Sequence, residues 1–346
     1  MSVRNRWLAF FLAVIVLPIG GCATGTAGPK PGKRSGHPQS RGSSVYPAPV
    51  QAAISYAAEG ELLGNAIRSI GAAHEAGFVL LAGLESQPTG PVSFSGTAAE
   101  AVAAQLSQST GNVFTSTPFY QFIYPSDYAV LLESSFEGAL PARYRALEAS
   151  VDFGAGTEIY NVFALLNKTF GINLVADNAI ADAVTGEIAL HHTPLELILD
   201  AVFRSARIPG ASYTIDANDT YIFIGKAGVD HSRELLLNRG ALSGSDRALL
   251  ERRVNVEMPE PALGAEGVVF RHSAEPLRKA IPYLSEQIGM PVTARRPLGE
   301  LPVNFFTLTD VPVSTALDLL IRQWQVPRFH YRVSNGAVEL LLRDER

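Results

Sequence analysis

Hydrophobic side chains recur with helical spacing in six segments of the chain, arranged as three pairs. The middle pair consists of Ile159, Val162, Phe163, Leu166 and Phe170, followed by Leu195, Ile198, Leu199, Val202 and Ala206. Spacings of three and four residues predict amphipathic helices, and Gly171 is a stop signal for the first of them. Apolar runs at 172–175 and 188–190 predict short strands, and those at 213–215 and 221–224 predict a closing hairpin.

The same pattern returns at two fixed offsets. Adding 118 to each number gives stripes that begin at Leu277 and Val313, and subtracting 96 gives stripes that begin at Leu63 and Ala99. The two stripes of every pair begin 36 residues apart. A repeat of this kind predicts tandem copies of one supersecondary unit. We therefore expect modules at 51–125, where the match is weakest, at 151–225 and at 268–346.

The remaining segments and the helix ends complete this prediction. Residues 126–150 and 226–267 are expected to be linkers, with short helices around 142–147 and 246–253. Thr193 and Thr97, each three residues before a glutamate, predict N-caps in capping boxes. Gly77 lies two residues later than the stop glycines Gly171 and Gly289 of the other copies, so the first copy needs a different turn. Asn335-Gly336 predicts a tight hairpin turn.

These residues resemble the STN domain, the short N-terminal module of secretins and TonB-dependent transducers. The resemblance rests on Gly-Ile-Asn-Leu-Val at 171–175, Thr-Pro-Leu-Glu-Leu-Ile-Leu-Asp-Ala at 193–201 and the element order β-α-β-β-α-β-β, over about 75 residues per copy. It implies an α+β fold of three tandem STN-like modules, each with two helices packed with small sheets. It also implies protein–protein contacts at the base of envelope machines or with signalling partners. Nothing after the repeats resembles a secretin pore or a receptor barrel, so we expect the chain not to be the channel itself.

The N-terminus resembles that of a bacterial lipoprotein. Arg4 and Arg6 precede an apolar run that is short for a membrane span, and Ile19-Gly20-Gly21-Cys22 resembles a lipobox. The resemblance implies a signal peptide at 1–21 and lipidation of Cys22, the only cysteine. Ala23 implies the outer membrane, facing the periplasm, and residues 22–50 predict a disordered tether. A short membrane anchor with an incidental cysteine is the alternative.

The charge balance argues against nucleic-acid binding. Six basic and no acidic residues lie in the first 50 positions, which leaves 22 basic and 33 acidic residues in 51–346. A net charge of −11 has the wrong sign for neutralising phosphates. Polarity exists within the chain, because 51–150 and 151–225 each carry −6 whereas 268–346 carries +2.

No residue pattern predicts catalysis, a cofactor or a metal site, and we expect the protein not to be an enzyme. His191 and His192 are adjacent on a predicted strand and would point to opposite faces. His74 lies on the apolar stripe of its helix, which favours a structural role. Gly154-Ala155-Gly156 lacks the third glycine of a dinucleotide loop. Glu196 and Asp200 are four apart on one helix, which is typical of a solvated face.

Two features are candidate partner surfaces. Phe122 and Tyr124 lie in an aromatic cluster at 119–128, where the competing interpretation is ordinary core packing. Arg295 and Arg296 form a basic pair that could meet an acidic partner, or could simply be a solvated loop. The leading hypothesis is an envelope lipoprotein that acts as an assembly or adaptor component of a secretion, pilus or related complex, tethered to the membrane through Cys22. The alternative is a periplasmic binding module for a small envelope ligand such as a peptidoglycan fragment or a siderophore.

Overall fold

Three stretches of the chain share one order of elements, and we refer to them as units 1, 2 and 3. The computed structural model describes residues 53–128, 136–206, 208, 213–229, 235–258, 275–324, 326 and 328–343. The predicted signal peptide, Cys22 and the tether lie outside these residues. Unit 1 comprises β1 (Ile54–Glu59), α1 (Leu63–His74), β2 (Phe78–Leu80), β3 (Pro91–Thr97), α2 (Ala99–Thr110), β4 (Asn112–Ser116) and β5 (Gln121–Pro125).

Units 2 and 3 follow with short helices before each. The helix α3 (Ala142–Arg145) precedes unit 2, which comprises β6 (Glu148–Phe153), α4 (Ile159–Phe170), β7 (Leu174–Ala176), α5 (Asn178–Ala181), β8 (Ile188–Pro194), α6 (Leu195–Ser205), β9 (Tyr213–Ala217) and β10 (Ile222–Lys226). A 3-10 turn at Arg239–Ala241 and α7 (Gly244–Glu251) precede unit 3. Unit 3 comprises β11 (Arg253–Glu257), β12 (Glu275–Pro276), α8 (Leu277–Ile288), β13 (Val292–Ala294), β14 (Pro302–Val303), β15 (Thr307–Pro312), α9 (Val313–Arg322), β16 (Phe329–Ser334) and β17 (Ala337–Leu342).

Five strands recur in the same order and with the same pairing in all three units; the short pair β12–β14 is additional in unit 3 and is left out when the strands are numbered first to last. The first strand pairs antiparallel with the third strand, as β1–β3, β6–β8 and β11–β15. The second strand pairs parallel with the last strand, and the last two form an antiparallel hairpin. The six stripes form the helices because their apolar faces are buried against these sheets. The α+β class predicted from the sequence is confirmed.

Each third strand carries the same irregularity. Gly96, His192 and Asp310 occupy equivalent positions at the 96 and 118 offsets, and all have positive φ, at 62°, 45° and 53°. The pairing register shifts in each of the three ladders, as it does in a β-bulge. His192 therefore lies at a bulge, and the regular alternation that we assumed for His191 and His192 is interrupted there.

The N-termini of the helices differ from the sequence prediction, whereas the C-termini at the stop glycines agree with it. The predicted threonine N-caps are wrong: the strand continues to Pro194, which is the residue before α6, and the Thr193 hydroxyl instead donates to the carbonyl of His191 at 3.0 Å. Thr97 likewise ends β3, and Ala98 precedes α2. Gly171 and Gly289 end their helices in the left-handed conformation, as predicted. In unit 1 Glu75 adopts that conformation with φ 51°, so a non-glycine residue forms the turn.

The predicted linkers are parts of the folded units. Phe136, Leu140 and Tyr144 from 126–150 belong to one hydrophobic core shared by units 1 and 2. The segment 226–267 contains β11, which is the first strand of unit 3, so unit 3 begins at 253 rather than at 268. Unit 3 has its own core, which also includes Val175 and Phe223 of unit 2. Within the described residues, no helix is long and apolar enough to cross a membrane.

Candidate interaction surfaces

Units 1 and 2 meet along a continuous sheet, which we call the first seam. The strand β2 pairs antiparallel with β8, giving the order β4-β5-β2-β8-β6. The Leu80 N–H donates to the Glu187 carbonyl at 2.8 Å. Glycine is required on both sides, because a Cβ at Gly71 would lie 2.7 Å from the Cβ of Ala189, and one at Gly186 would lie 2.2 Å from the Leu80 carbonyl oxygen. The seam therefore depends on close backbone approach.

A two-point ion pair crosses the first seam. The Nε and Nη2 atoms of Arg68 donate to the carboxylate of Glu187 at 2.7 and 2.6 Å. The Glu187 side chain is 1% exposed, and the Arg68 side chain is 47% exposed. Burial raises the pKa of Glu187, although the hydrogen bonds and charge of Arg68 lower it. Burial also raises the pKa of nearby Asp152 and lowers that of His191.

Units 2 and 3 meet along a second seam in which side chains replace strand pairing. The Asn173 side chain accepts from the Thr309 N–H at 2.7 Å and donates to the Thr309 carbonyl at 3.0 Å. Asn304 donates to Asn178 at 3.1 Å and to Asp182 at 2.7 Å. The asparagines therefore satisfy backbone and side-chain groups that the seam buries.

Arg322 also fastens the second seam. Its Nη2 lies 2.8 Å from the Asp216 carboxylate, and its guanidinium lies 4.0 Å from the centre of the Phe223 ring. Both partners belong to unit 2, whereas Arg322 ends α9 of unit 3. The Arg322 side chain is only 7% exposed, so its charge is paired in a largely desolvated site.

The two seams use equivalent positions of the repeat. At the first seam the Ala82 N–H donates to the Ser205 carbonyl at 2.7 Å, and at the second the Asn178 N–H donates to the Gln323 carbonyl at 2.8 Å. The donors Ala82 and Asn178 are 96 positions apart and the acceptors Ser205 and Gln323 are 118 positions apart, which are the offsets of the repeat. We call the surface with the second strand and first helix the forward face, and the surface with the third strand and the end of the second helix the rear face. In both seams a forward face meets the rear face of the next unit.

The burial of Phe122 contradicts its prediction as a partner-surface residue, and Tyr124 is only partly accessible. Phe122 and its neighbour Ile123 are fully buried, because β5 lies between β2 and β4 and is covered on both faces. Tyr124 is half-buried and stacks on Phe122 with the ring centres 5.0 Å apart. The Tyr124 hydroxyl oxygen lies 3.0 Å from the hydroxyl oxygen of Thr115. Phe122 is therefore a core residue, and Tyr124 packs against the core from its edge.

The two residues of the predicted basic pair, Arg295 and Arg296, have different surroundings. Arg295 is half-exposed and its Nε lies 2.8 Å from the Glu339 carboxylate of β17. Arg296 is exposed. Arg296 also occupies the position equivalent to Ala82 and Asn178, the two backbone donors of the seams. The pair therefore lies at the edge of the forward face of unit 3.

The expectation that Glu196 and Asp200 are solvated is wrong. Glu196 is 1% and Asp200 is 4% exposed, because residues 136–145 fold over α6. The Phe136 N–H donates to Asp200 at 3.0 Å, and the Leu140 N–H donates to Glu196 at 3.4 Å. Arg145 lies 3.4 Å from Glu196. The two carboxylates hold the connection between units 1 and 2 in place.

The histidines occupy structural surroundings. His74 is half-buried, and its Nε2 lies 2.9 Å from the Ser55 carbonyl oxygen. His191 lies against α1, near Gly71. In the described part of the chain, no group of three His, Cys, Asp or Glu residues is arranged to hold a metal ion.

An open polar groove runs beside the second seam. It is lined by α4, α8, β11 and β15, with Asn167, Lys168, Asn255, Glu257, Gln287 and Thr309 among its residues. Lys168 and Glu257 face each other across it at 4.0 Å. No pattern in the sequence singled out this groove or the seam residues Arg68, Glu187, Asn173 and Arg322. One signal was available, since Phe78–Leu80 and Leu174–Ala176 are wholly apolar, as strands covered on both faces are.

We expect Asp318 to make stability depend on pH. Burial raises the pKa of Asp318 to about 6, although a hydrogen bond from Tyr331 and the charges of Arg239 and Arg322 lower it; an unfolded aspartate titrates at ~3.9. Folding therefore favours the protonated carboxyl, and this contribution is present below about pH 4 and lost as the pH rises through about 6. At pH 7 Asp318→Asn should increase the free energy of unfolding by up to about 3 kcal/mol. Urea titrations at pH 4 and pH 7 measure this, with exposed Asp219→Asn as control; equal gains at both pH values would contradict it.

Comparison with known proteins finds no match: no protein-family model, no curated protein and no solved structure matches the chain. The fold and the seams therefore define its class. It is an α+β protein of three like units, joined in series by forward-to-rear contacts between equivalent surfaces.

Proposed function

We propose that this protein is a non-enzymatic envelope lipoprotein that acts as an assembly or adaptor component of a secretion, pilus or related complex. Its three units would be STN-like modules, carried by a lipid on Cys22 in the outer membrane and facing the periplasm. The observation that carries the proposal is the repeated seam, because the Ala82–Ser205 and Asn178–Gln323 hydrogen bonds serve the same docking twice. A unit that uses one fixed face to bind other units of the same kind is suited to assembly.

The charges of the units support the same proposal. The acidic character of 51–225 and the slightly basic character of 268–346 give the molecule two unlike ends. Complementary charge at a docking surface mainly raises the association rate and the specificity. A molecule with unlike ends is suited to bridging different components.

The test is capture from detergent-solubilised envelope with the full chain and its Cys22→Ser variant. The wild-type chain should incorporate an alkyne fatty acid and retain a defined set of envelope proteins after cross-linking. Cys22→Ser should incorporate none, since the thioether cannot form, and should lose that set because it no longer reaches the membrane. Label on Cys22→Ser would contradict the lipoprotein assignment, and an identical protein set from both chains would contradict the assembly role at the membrane.

The second candidate function, binding of a small envelope ligand, is favoured by the groove beside the second seam. Its lysine, glutamate and amide side chains could hydrogen-bond a polar ligand such as a peptidoglycan fragment. Muropeptide binding by the wild-type chain, lost in Lys168→Ala and retained in the surface control Lys279→Ala, would favour this function over assembly.

A further inference from the structure

The chain contains two forward-to-rear seams and leaves one face of each kind at its ends. The rear face of unit 1 has no preceding unit, and the forward face of unit 3 has no following unit among the described residues. Among the described residues, β3 of unit 1 pairs with β1 alone, whereas the equivalent β8 pairs on both edges. Within the same residues, β13 of unit 3 pairs with β17 alone, whereas the equivalent β2 pairs with both β5 and β8.

The open edge of β13 presents backbone groups as β2 does. The Arg295 N–H donates to Leu340, and the Val338 N–H donates to the Pro291 carbonyl, so these alternate residues face β17. Val292 and Ala294 therefore face away from β17. They are equivalent to Phe78 and Leu80, of which Leu80 donates to the next unit.

We infer that the forward face of unit 3 docks on the rear face of unit 1 in a second copy of this chain, end to end. The inference deepens the proposed assembly function, on which it rests, by naming one partner. It follows from continuity: the same two faces already meet twice within each molecule. Val292 and Thr293 of unit 3 are equivalent to Phe78 and Val79, and Ser93 and Val92 of unit 1 are equivalent to Ala189 and Ile188. Because Phe78 pairs with Ala189 and Val79 with Ile188 at the first seam, Val292 would lie beside Ser93, and Thr293 beside Val92, of the neighbour.

The charges of the two ends suit this contact. Glu59 takes the place of Ala155, whose N–H lies 3.2 Å from Glu187 at the first seam. Arg296 takes the place of the seam donors Ala82 and Asn178. The offsets place Arg296 near Ser109 of the neighbour and not beside Glu59, so the charges act through the opposite net signs of 51–150 (−6) and 268–346 (+2), which favours encounter.

The contact is expected to be weaker than the internal seams. Pro91 occupies the position of Glu187, so the end-to-end contact lacks the carboxylate that pairs with Arg68 at the first seam. Thr293 is exposed where the equivalent Val79 is fully buried. A contact between two different faces of identical molecules can be repeated from one copy to the next, so it generates open chains or closed rings. The protein should therefore associate reversibly, in a concentration-dependent manner.

Disulfide trapping tests the contact. Ser285 and Ser93 are equivalent to Gly71 and Ala189, which are in direct contact at the first seam. We would use the full chain with Cys22→Ser and add either Ser285→Cys or Ser93→Cys. Under mild oxidation the mixture of the two variants should form at least about ten times more covalent dimer than either variant alone. Far-ultraviolet circular dichroism verifies that each variant is folded.

The matched control replaces Ser93→Cys by Ser245→Cys, which lies on the exposed start of α7. Equal dimer yields from the test and control mixtures would overturn the proposal, as would a yield of Ser93→Cys dimers that equals that of the test mixture, which would indicate a rear-to-rear contact. Protection of position 93 from a thiol reagent in dilute full chain would also overturn it, since residues 1–52 would then cover the rear face. If trapping fails while the wild-type chain still captures envelope proteins, the assembly function stands without self-association.

Discussion

Gly186→Ala should be the most destabilising small substitution at the first seam. The added Cβ would lie 2.2 Å from the Leu80 carbonyl oxygen and 2.8 Å from the Ala82 nitrogen. Both are backbone atoms of unit 1, so no side chain can rotate away and the seam itself must open. Overpacking of this kind costs about 1–3 kcal/mol and occasionally more; with backbone on the opposing side, we expect on the order of 3 kcal/mol or more.

Urea denaturation of the full chain, followed by circular dichroism, measures this effect. Gly240→Ala is the matched control, because Gly240 has nothing within 4 Å of its added Cβ. The control should change stability by less than about 0.5 kcal/mol. Equal midpoints for the two variants would show that units 1 and 2 are not joined through β2 and β8 in solution.

Arg68→Ala should have the second largest effect, because it leaves a buried carboxylate without its cation. Removing one member of a buried ion pair costs about 3–5 kcal/mol; since the Arg68 side chain is half-exposed, we expect about 2–3 kcal/mol at pH 7. Burial raises the pKa of Glu187, and the loss of Arg68 should raise it further. The charged form is the destabilised one, so the defect should shrink as the pH falls through the pKa of Glu187 in the folded variant.

The double variant Arg68→Ala with Glu187→Gln separates charge from packing. The neutral amide needs no cation, so the double variant should be more stable than Arg68→Ala alone at pH 7. Guanidinium titrations at pH 4 and pH 7 provide the comparison. A double variant no more stable than Arg68→Ala would mean that the lost contacts of the arginine stem, and not the unpaired charge, cause the effect.

The repeat could be predicted from the sequence because it consists of apolar residues that recur with helical spacing within short segments. The stripes that begin at Leu63, Ala99, Ile159, Leu195, Leu277 and Val313 each start a helix at that residue. Hairpins were equally accessible, since Asn335-Gly336 supplies two residues with positive φ between β16 and β17. Such signals depend on neighbours within a few positions.

Signals broken by insertions or supplied by distant segments were missed. The strand β11 escaped the 118 offset because residues 258–276 separate it from α8, a longer connection than the one between β6 and α4. Glu196 was expected to be solvated because nothing near it in the chain indicates that residues 136–145 cover it. Arg295 looked like unpaired surface charge, but Glu339 lies opposite it on the neighbouring strand.

The sequence by itself determined the class of fold, the order of the elements and their repetition, because apolar spacing and glycine placement act within single elements. Only the tertiary structure decided how the units join. The Arg68–Glu187 pair connects residues 119 positions apart, and the Asn173–Thr309 hydrogen bonds connect residues 136 positions apart. Such contacts depend on which surfaces the folded units bring together, and a repeat in sequence does not specify which face of one unit meets the next.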